Sequence, residues 1–206
     1  MKEKQTEEKI LEMAMEVFLD RGYDGARTKE IAERAGINKA LLHYYFRSKE
    51  KLYRHAFRRL FHRFLHRVLS RAGDSDDIFA YLSRFMQGYM DVMYREPRIV
   101  PFILWELHGN GGLIEEMIRQ ELHEQGDQEI PLLRAIRLAQ QRGEIGPGDP
   151  VQITISVLAL VIFPLVGKPL LERMVPGLQV DSPAFREQRL EFLTAFVRRG
   201  LQPEEA

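Results

Sequence analysis

The 206-residue chain contains no cysteine, which excludes disulfides, thiolate metal sites and any thiol-based redox switch. Long hydrophobic runs are also missing. The longest, VLALVIFPLVG at 157–167, is interrupted by Pro164 and is too short to span a bilayer. The first residues, MKEKQTEEKILEMAMEVF, alternate charged with apolar side chains and hold no signal-peptide core. A cytoplasmic protein without a membrane partner is therefore expected. Strand-like alternation, internal repeats and low-complexity segments are absent as well. Net charge is zero, with 30 basic and 30 acidic residues, but the two signs are not evenly spread. Residues 1–71 hold 17 Lys and Arg against 10 Asp and Glu, whereas 72–206 hold 13 against 20. A basic end on an acidic body points to a polyanion partner at the N-terminal end only.

What the chain does have is helical periodicity, with 45% apolar and 29% charged residues, as in soluble globular proteins. Ile10, Leu11, Ala14, Val17 and Phe18 share one face of a first helix that Gly22 ends. Thr28 is expected to cap a short helix, KEIAERA, with Ile31, Ala32 and Ala35 facing inward. Gly36 then turns the chain, Ile37 plugs the turn, and Asn38 caps a second short helix, KALLHYYF. Ser48, with Glu50 and Lys51, opens a long helix to about Arg71. After the acidic turn GDSDD at 73–77, helices are expected near 76–94, 97–107, 111–124, 128–142, 150–166 and 183–199. Their breaks are marked by Pro97, GNGG (109–112), GEIGPGDP (143–150) and VPGLQVDSP (175–183). The fold expected is all-α: a three-helix head over residues 1–52 and a larger helical body over 53–206.

Two short capped helices joined by a small residue and a glycine form the pattern of a helix-turn-helix, in which Ala35 and Gly36 permit a close crossing. The second helix buries one face and turns the other toward the major groove of DNA. Leu42 and Phe46, four residues apart, form the inward face. Lys39, Ala40, His43 and Tyr44 occupy the outward arc, and Tyr45 falls between the two. The Tyr44 hydroxyl suits a phosphate oxygen, and Lys39 suits a phosphate or the acceptors of guanine. Lys49 lies beside backbone N–H groups at the start of the next helix, and Thr28 at the start of an earlier one. With Lys29 at the same helix start as Thr28, and Asn38 at the start of KALLHYYF, the candidate DNA-binding residues are Thr28, Lys29, Asn38, Lys39, Ala40, His43, Tyr44, Tyr45 and Lys49.

The run LLHYYFRSKEKLY, together with Phe18, Gly22, Tyr23, Thr28, Ile31, Ala32, Ala35 and Gly36, resembles the TetR family of bacterial transcriptional regulators. The resemblance covers roughly residues 7–55. Histidine stands here at the family's first aromatic position and Tyr45 at its usual histidine, while Tyr44 and Lys49 match its phosphate contacts. The resemblance implies a dimeric, ligand-responsive regulator, most often a repressor, on a palindromic double-stranded operator.

Elsewhere, His55, His62 and His66 recur along one helix, the last two at metal-ligand spacing. Positions 51–71 hold no carboxylate, and Arg58, Arg59, Arg63 and Arg67 crowd the same helix, so a solvated basic face is the better account and no metal is expected. Glu106 and His108 stand beside GNGG without a nucleophile, so neither catalytic residues nor a cofactor are expected. In the body, Phe85, Tyr89 and Met93 repeat every four residues, followed by Phe102 and Trp105. That pattern fits core packing and the lining of a small-molecule pocket alike. The candidate effector site is Phe85, Tyr89, Met93, Phe102 and Trp105 around an apolar molecule, with Glu106 or His108 orienting its polar end. PVQITISVLALVIFPLVG, apolar almost all round, and the Phe185, Phe192 and Phe196 face of the last helix predict a homodimer about a two-fold axis. The competing reading is a helical small-molecule carrier or enzyme with a head that does not bind DNA.

Overall fold

The computed structural model describes residues 2–72, 77–108, 112–124, 126 and 129–203. Among these the chain forms eleven helices and no strand: α1 (Lys2–Gly25), α2 (Thr28–Ala35), α3 (Lys39–Phe46), α4 (Lys49–Ala72), α5 (Ile78–Arg95), α6 (Ile99–His108), α7 (Gly112–Glu124), α8 (Pro131–Gln141), α9 (Pro150–Val166), α10 (Lys168–Met174) and α11 (Pro183–Leu201). The turns expected at 73–77 and 109–112 lie outside the described residues except for Asp77 and Gly112, as does the side chain of Phe102. No single described helix is long and apolar enough to cross a membrane.

The chain divides into two compact units, Met1–Phe64 with Pro101–Arg119 and Leu65–Val100 with Gln120–Ala206. The expected boundary at residue 52 falls within α4, which runs unbroken through it.

In the first unit α2 packs on α1 and on α3. Ile10, Ala14, Val17 and Phe18 of α1 are buried, with Ile31, Ala32 and Ala35 of α2. At Gly22 the backbone leaves helical geometry (φ 67°). Gly36 ends α2 in the left-handed region (φ 70°, ψ 32°), its N–H and that of Ile37 donating back to the carbonyls of Glu33 and Ala32. This pairing satisfies the helix end and requires a positive φ, which glycine adopts without crowding. Arg34 reaches Glu30 at 2.7 Å and Asp20 at 3.7 Å, tying α2 to α1.

In the second unit α11 and α9 both pack on α5, α8 packs on α9 and α5, and α10 packs on α9. Asp77, Asp149 and Ser182 cap α5, α9 and α11 by accepting backbone N–H groups. The short helix α10 is an addition to the sequence expectation, which places no element between the helix near 150–166 and the break at 175–183. Along α9 and α11, Ile155, Phe163, Phe192 and Phe196 are each more than half exposed, while Leu193 is fully buried. The rings of Phe192 and Phe196 stack at 5.7 Å.

Candidate nucleic-acid interface

Each short helix of the head begins differently. The Asn38 side chain accepts the Leu41 N–H at 2.8 Å and caps α3 as expected. Thr28 does not cap α2. It is the first helical residue, preceded by Arg27 in extended geometry, and no side chain caps the helix. Capping requires non-helical backbone one position earlier than the helix, and the turn places Arg27 there. The first N–H groups of α2 therefore have no intrahelical acceptor and, among the described residues, no side-chain cap. Ser48 caps α4, accepting the Lys51 N–H at 3.1 Å.

α3 divides as its spacing predicts. Leu42 and Phe46 are buried, Lys39, Ala40 and His43 are exposed, and Tyr44 is 60% exposed. Tyr45 is half-buried, its ring 5.6 Å from Tyr44 and 6.2 Å from Phe46. Beside this face lies an open groove of about 480 Å³. Its floor is Ala26 and Leu42, and its polar walls come from the starts of α2, α3 and α4. Thr28, Lys29, Lys39, His43 and Lys49 line it, together with Arg27 and Arg47. No carboxylate does. Concentrated cations next to uncapped helix N–H groups create a positive field suited to a chain of phosphates.

These cations are not equivalent. Lys29 lies 3.8 Å from Glu33. The Lys49 ammonium donates to the Asp24 carbonyl at 3.3 Å and sits 4.7 Å from the Tyr23 ring centroid, so it braces the α1–α2 turn as well as charging the groove. Arg27, Lys39 and Arg47 have no carboxylate partner among the described residues. Arg27 and Arg47 were not among the sequence candidates, because both lie in turns, where helix-face periodicity assigns no direction. Of the remaining candidates, Asn38 has its oxygen engaged in the cap, and Ala40, Tyr44 and Tyr45 stand on α3 outside the groove lining.

The expected effector residues separate. Phe85 and Met93 are buried and Tyr89 half-buried in the second unit, where burial raises the Tyr89 phenol pKa. Trp105, Glu106 and His108 lie on α6 in the first unit. Trp105 stacks on Tyr23 at 5.6 Å and meets the edge of Tyr53 at 5.7 Å. Glu106 is buried and accepts the Tyr53 hydroxyl. Burial, then that bond, raises the Tyr53 phenol pKa. His108 Nδ1 lies 2.7 Å from the Leu104 carbonyl of its own helix. Trp105 and Glu106 thus have partners inside the head unit, a role the pocket expectation did not foresee.

The family model described as bacterial regulatory proteins, tetR family, matches residues 10–56, the span that builds the groove. The HTH-type transcriptional regulator RutR of Escherichia coli K12 is 24% identical over 94% of this chain and 89% of its own length. The HTH-type transcriptional repressor SCO4008 of Streptomyces coelicolor is 27% identical over 84% of each chain. Among solved structures, the transcriptional regulator FadR of Bacillus subtilis, in complex with stearoyl-CoA, superposes with a TM-score of 0.66 at 18% identity, covering 91% of this chain and 97% of its own.

Proposed function

The chain is a TetR-family transcriptional regulator, and from that premise we propose that it is a cytoplasmic repressor whose homodimer holds a palindromic operator and releases it when a small, largely apolar effector binds. The observation that carries the DNA-binding part is the carboxylate-free groove at the starts of α2, α3 and α4. Phosphates lying along it are held by Arg27, Lys29 and Lys49, while Lys39, Ala40 and His43 on the exposed arc of α3 face base edges. The exposed phenyl rings of α9 and α11 support the homodimer, since hydrocarbon on that scale is normally covered. A two-fold pair of heads matches a palindromic site.

The repressor assignment is supported by SCO4008, which carries that name. The effector reading is supported by the acyl-CoA in the FadR structure and by the aromatic and methionine face of α5, Phe85, Tyr89 and Met93. Relief of repression requires the effector to bind the DNA-free state more tightly, since a ligand indifferent to state shifts nothing.

The test is fluorescence anisotropy with duplexes enriched by the protein from a random-sequence pool, across a salt series. Binding should weaken steeply with salt. Arg27→Ala should lower affinity for all duplexes alike, whereas Lys39→Ala or His43→Ala should change the order of preference among them. Enrichment of no duplex, or affinity indifferent to salt and to Arg27→Ala, rules the proposal out.

A further inference from the structure

The turn that ends α3 favours glycine, and the chain has an arginine there. Arg47 has φ 59° and ψ −41°, and among the described residues it is the one non-glycine residue with positive φ. The Ser48 N–H donates to the Phe46 carbonyl at 2.5 Å, closing a three-residue γ-turn with Arg47 at its centre. A γ-turn of positive φ is rare and strained, because Cβ crowds the neighbouring carbonyl. The turn itself has clear uses. It lets the Arg47 N–H close α3 onto the His43 carbonyl at 2.9 Å and sets Ser48 to cap α4 one residue later. None of these needs a side chain at position 47, and glycine would make the same turn without crowding.

Position 47 borders the groove. Arg47 lines it beside Arg27, Thr28, Lys29 and Lys39, and its guanidinium carbon lies 5.8 Å from the centroid of the Tyr44 ring. Other arginines of this unit, Arg34, Arg54, Arg58 and Arg59, each reach a carboxylate. Arg47 reaches none among the described residues.

We propose that Arg47 is a DNA phosphate clamp whose direction is set by the strained γ-turn and whose guanidinium plane is supported by Tyr44. A planar fork of N–H donors takes a phosphate in two parallel bonds, and a backbone fixed beforehand leaves less freedom to lose on binding. The clamp lies at the junction of α3 and α4, so it sets how deeply and in what register α3 enters the groove of the duplex. This inference rests on the DNA-binding reading above and adds to it one positioning residue and its cause.

The decisive variant is Arg47→Gly, studied by urea unfolding and by anisotropy on a duplex that the parent protein has enriched from a random pool. The expected result is a higher urea midpoint together with binding weakened about tenfold, and a salt slope reduced by roughly 0.9, one phosphate contact's worth. Arg47→Lys should keep the slope while losing part of the affinity, since a point charge replaces a fork. A raised midpoint with unchanged affinity and slope means the side chain does nothing for DNA and overturns the clamp. A lowered midpoint means the turn is not strained and overturns it too. A parent protein that enriches no duplex overturns the DNA-binding reading along with the clamp, whereas an indifferent Arg47→Gly overturns the clamp alone.

Discussion

Pro164 lies inside α9 and carries no N–H, so the Leu160 carbonyl, four residues earlier, has no donor within its own helix. Arg189 of α11 supplies one from outside, its Nη2 lying 2.8 Å from that oxygen. The same guanidinium is 5.9 Å from the Phe192 ring and holds its Nε buried without a hydrogen-bond partner among the described residues. Burial pulls its pKa below the ordinary arginine value. Arginine here therefore carries a desolvation cost, and the bond to Leu160 is what offsets it. A bond from a charged donor contributes about 1.5–3 kcal/mol, and a carbonyl left without a partner costs about 1–3 kcal/mol when fully buried, toward the low end at this part-buried site. On those figures Arg189→Met should destabilise by roughly 2 kcal/mol, less whatever is regained by no longer burying Nε.

A double-mutant cycle isolates the bond. Pro164→Ala restores an N–H that closes onto Leu160 within α9, so in that background Arg189→Met should cost about 1–2 kcal/mol less than in the parent. The sign of Pro164→Ala by itself does not enter the coupling: it loses the packing of a buried ring and gains helix propensity of up to about 3 kcal/mol. The four proteins are compared by urea unfolding followed by far-UV circular dichroism, at one protein concentration because association would shift every midpoint. A cycle that closes to within about 0.5 kcal/mol would refute the reasoning, since non-interacting sites add to that precision.

Two further outcomes concern tyrosines. Tyr53→Phe leaves the buried Glu106 carboxylate without its phenol donor and should cost about 1–3 kcal/mol by urea unfolding, with Glu106→Met in the same chain recovering most of the loss; equal stability of Tyr53→Phe and the parent would contradict this. The Tyr94 phenol is pushed up to about 12 by burial, against the opposing pull of Arg189 and Arg186. Its folded state thus holds the proton more tightly than the unfolded chain, and that contribution is complete below pH 10 and lost as pH rises toward 12. Tyr94→Phe should flatten the alkaline fall in stability over that interval, and an unchanged fall would remove Tyr94 as a cause.

Much of the head was legible because its determinants are local. Caps, turn glycines and four-residue spacing act within one turn of helix, so Asn38, Gly36 and the Leu42–Phe46 pair follow from neighbours in the chain. The misplaced cap at Thr28 differs by one residue, yet it changes the chemistry, because a helix start without a cap leaves N–H groups for an anion. Arg27 and Arg47 escaped for the complementary reason. A turn residue has no helical face, and its direction depends on φ and ψ that no periodicity encodes. Glycine at position 47 would have marked the turn, whereas arginine conceals it.

The body shows where local reasoning stops. Periodicity says which face of a helix is covered but not by what, and α6 illustrates the difference. A tryptophan and a glutamate on an otherwise apolar helix look the same whether they await a ligand or already have partners. Here the partner of Glu106 is a hydroxyl 53 residues away in sequence, and Trp105 rests on Tyr23. Only long-range packing supplies those partners. The short helix α10 lies between the expected helix near 150–166 and the break at 175–183, where no element is expected from the sequence. Pro169 stands in its first turn, where proline forfeits no hydrogen bond and arrives with its φ already helical. The same ring at position 164, well inside α9, removes a bond that another helix must replace. Proline's meaning therefore lies in its distance from the helix start, which a residue count alone does not supply until the start itself is known.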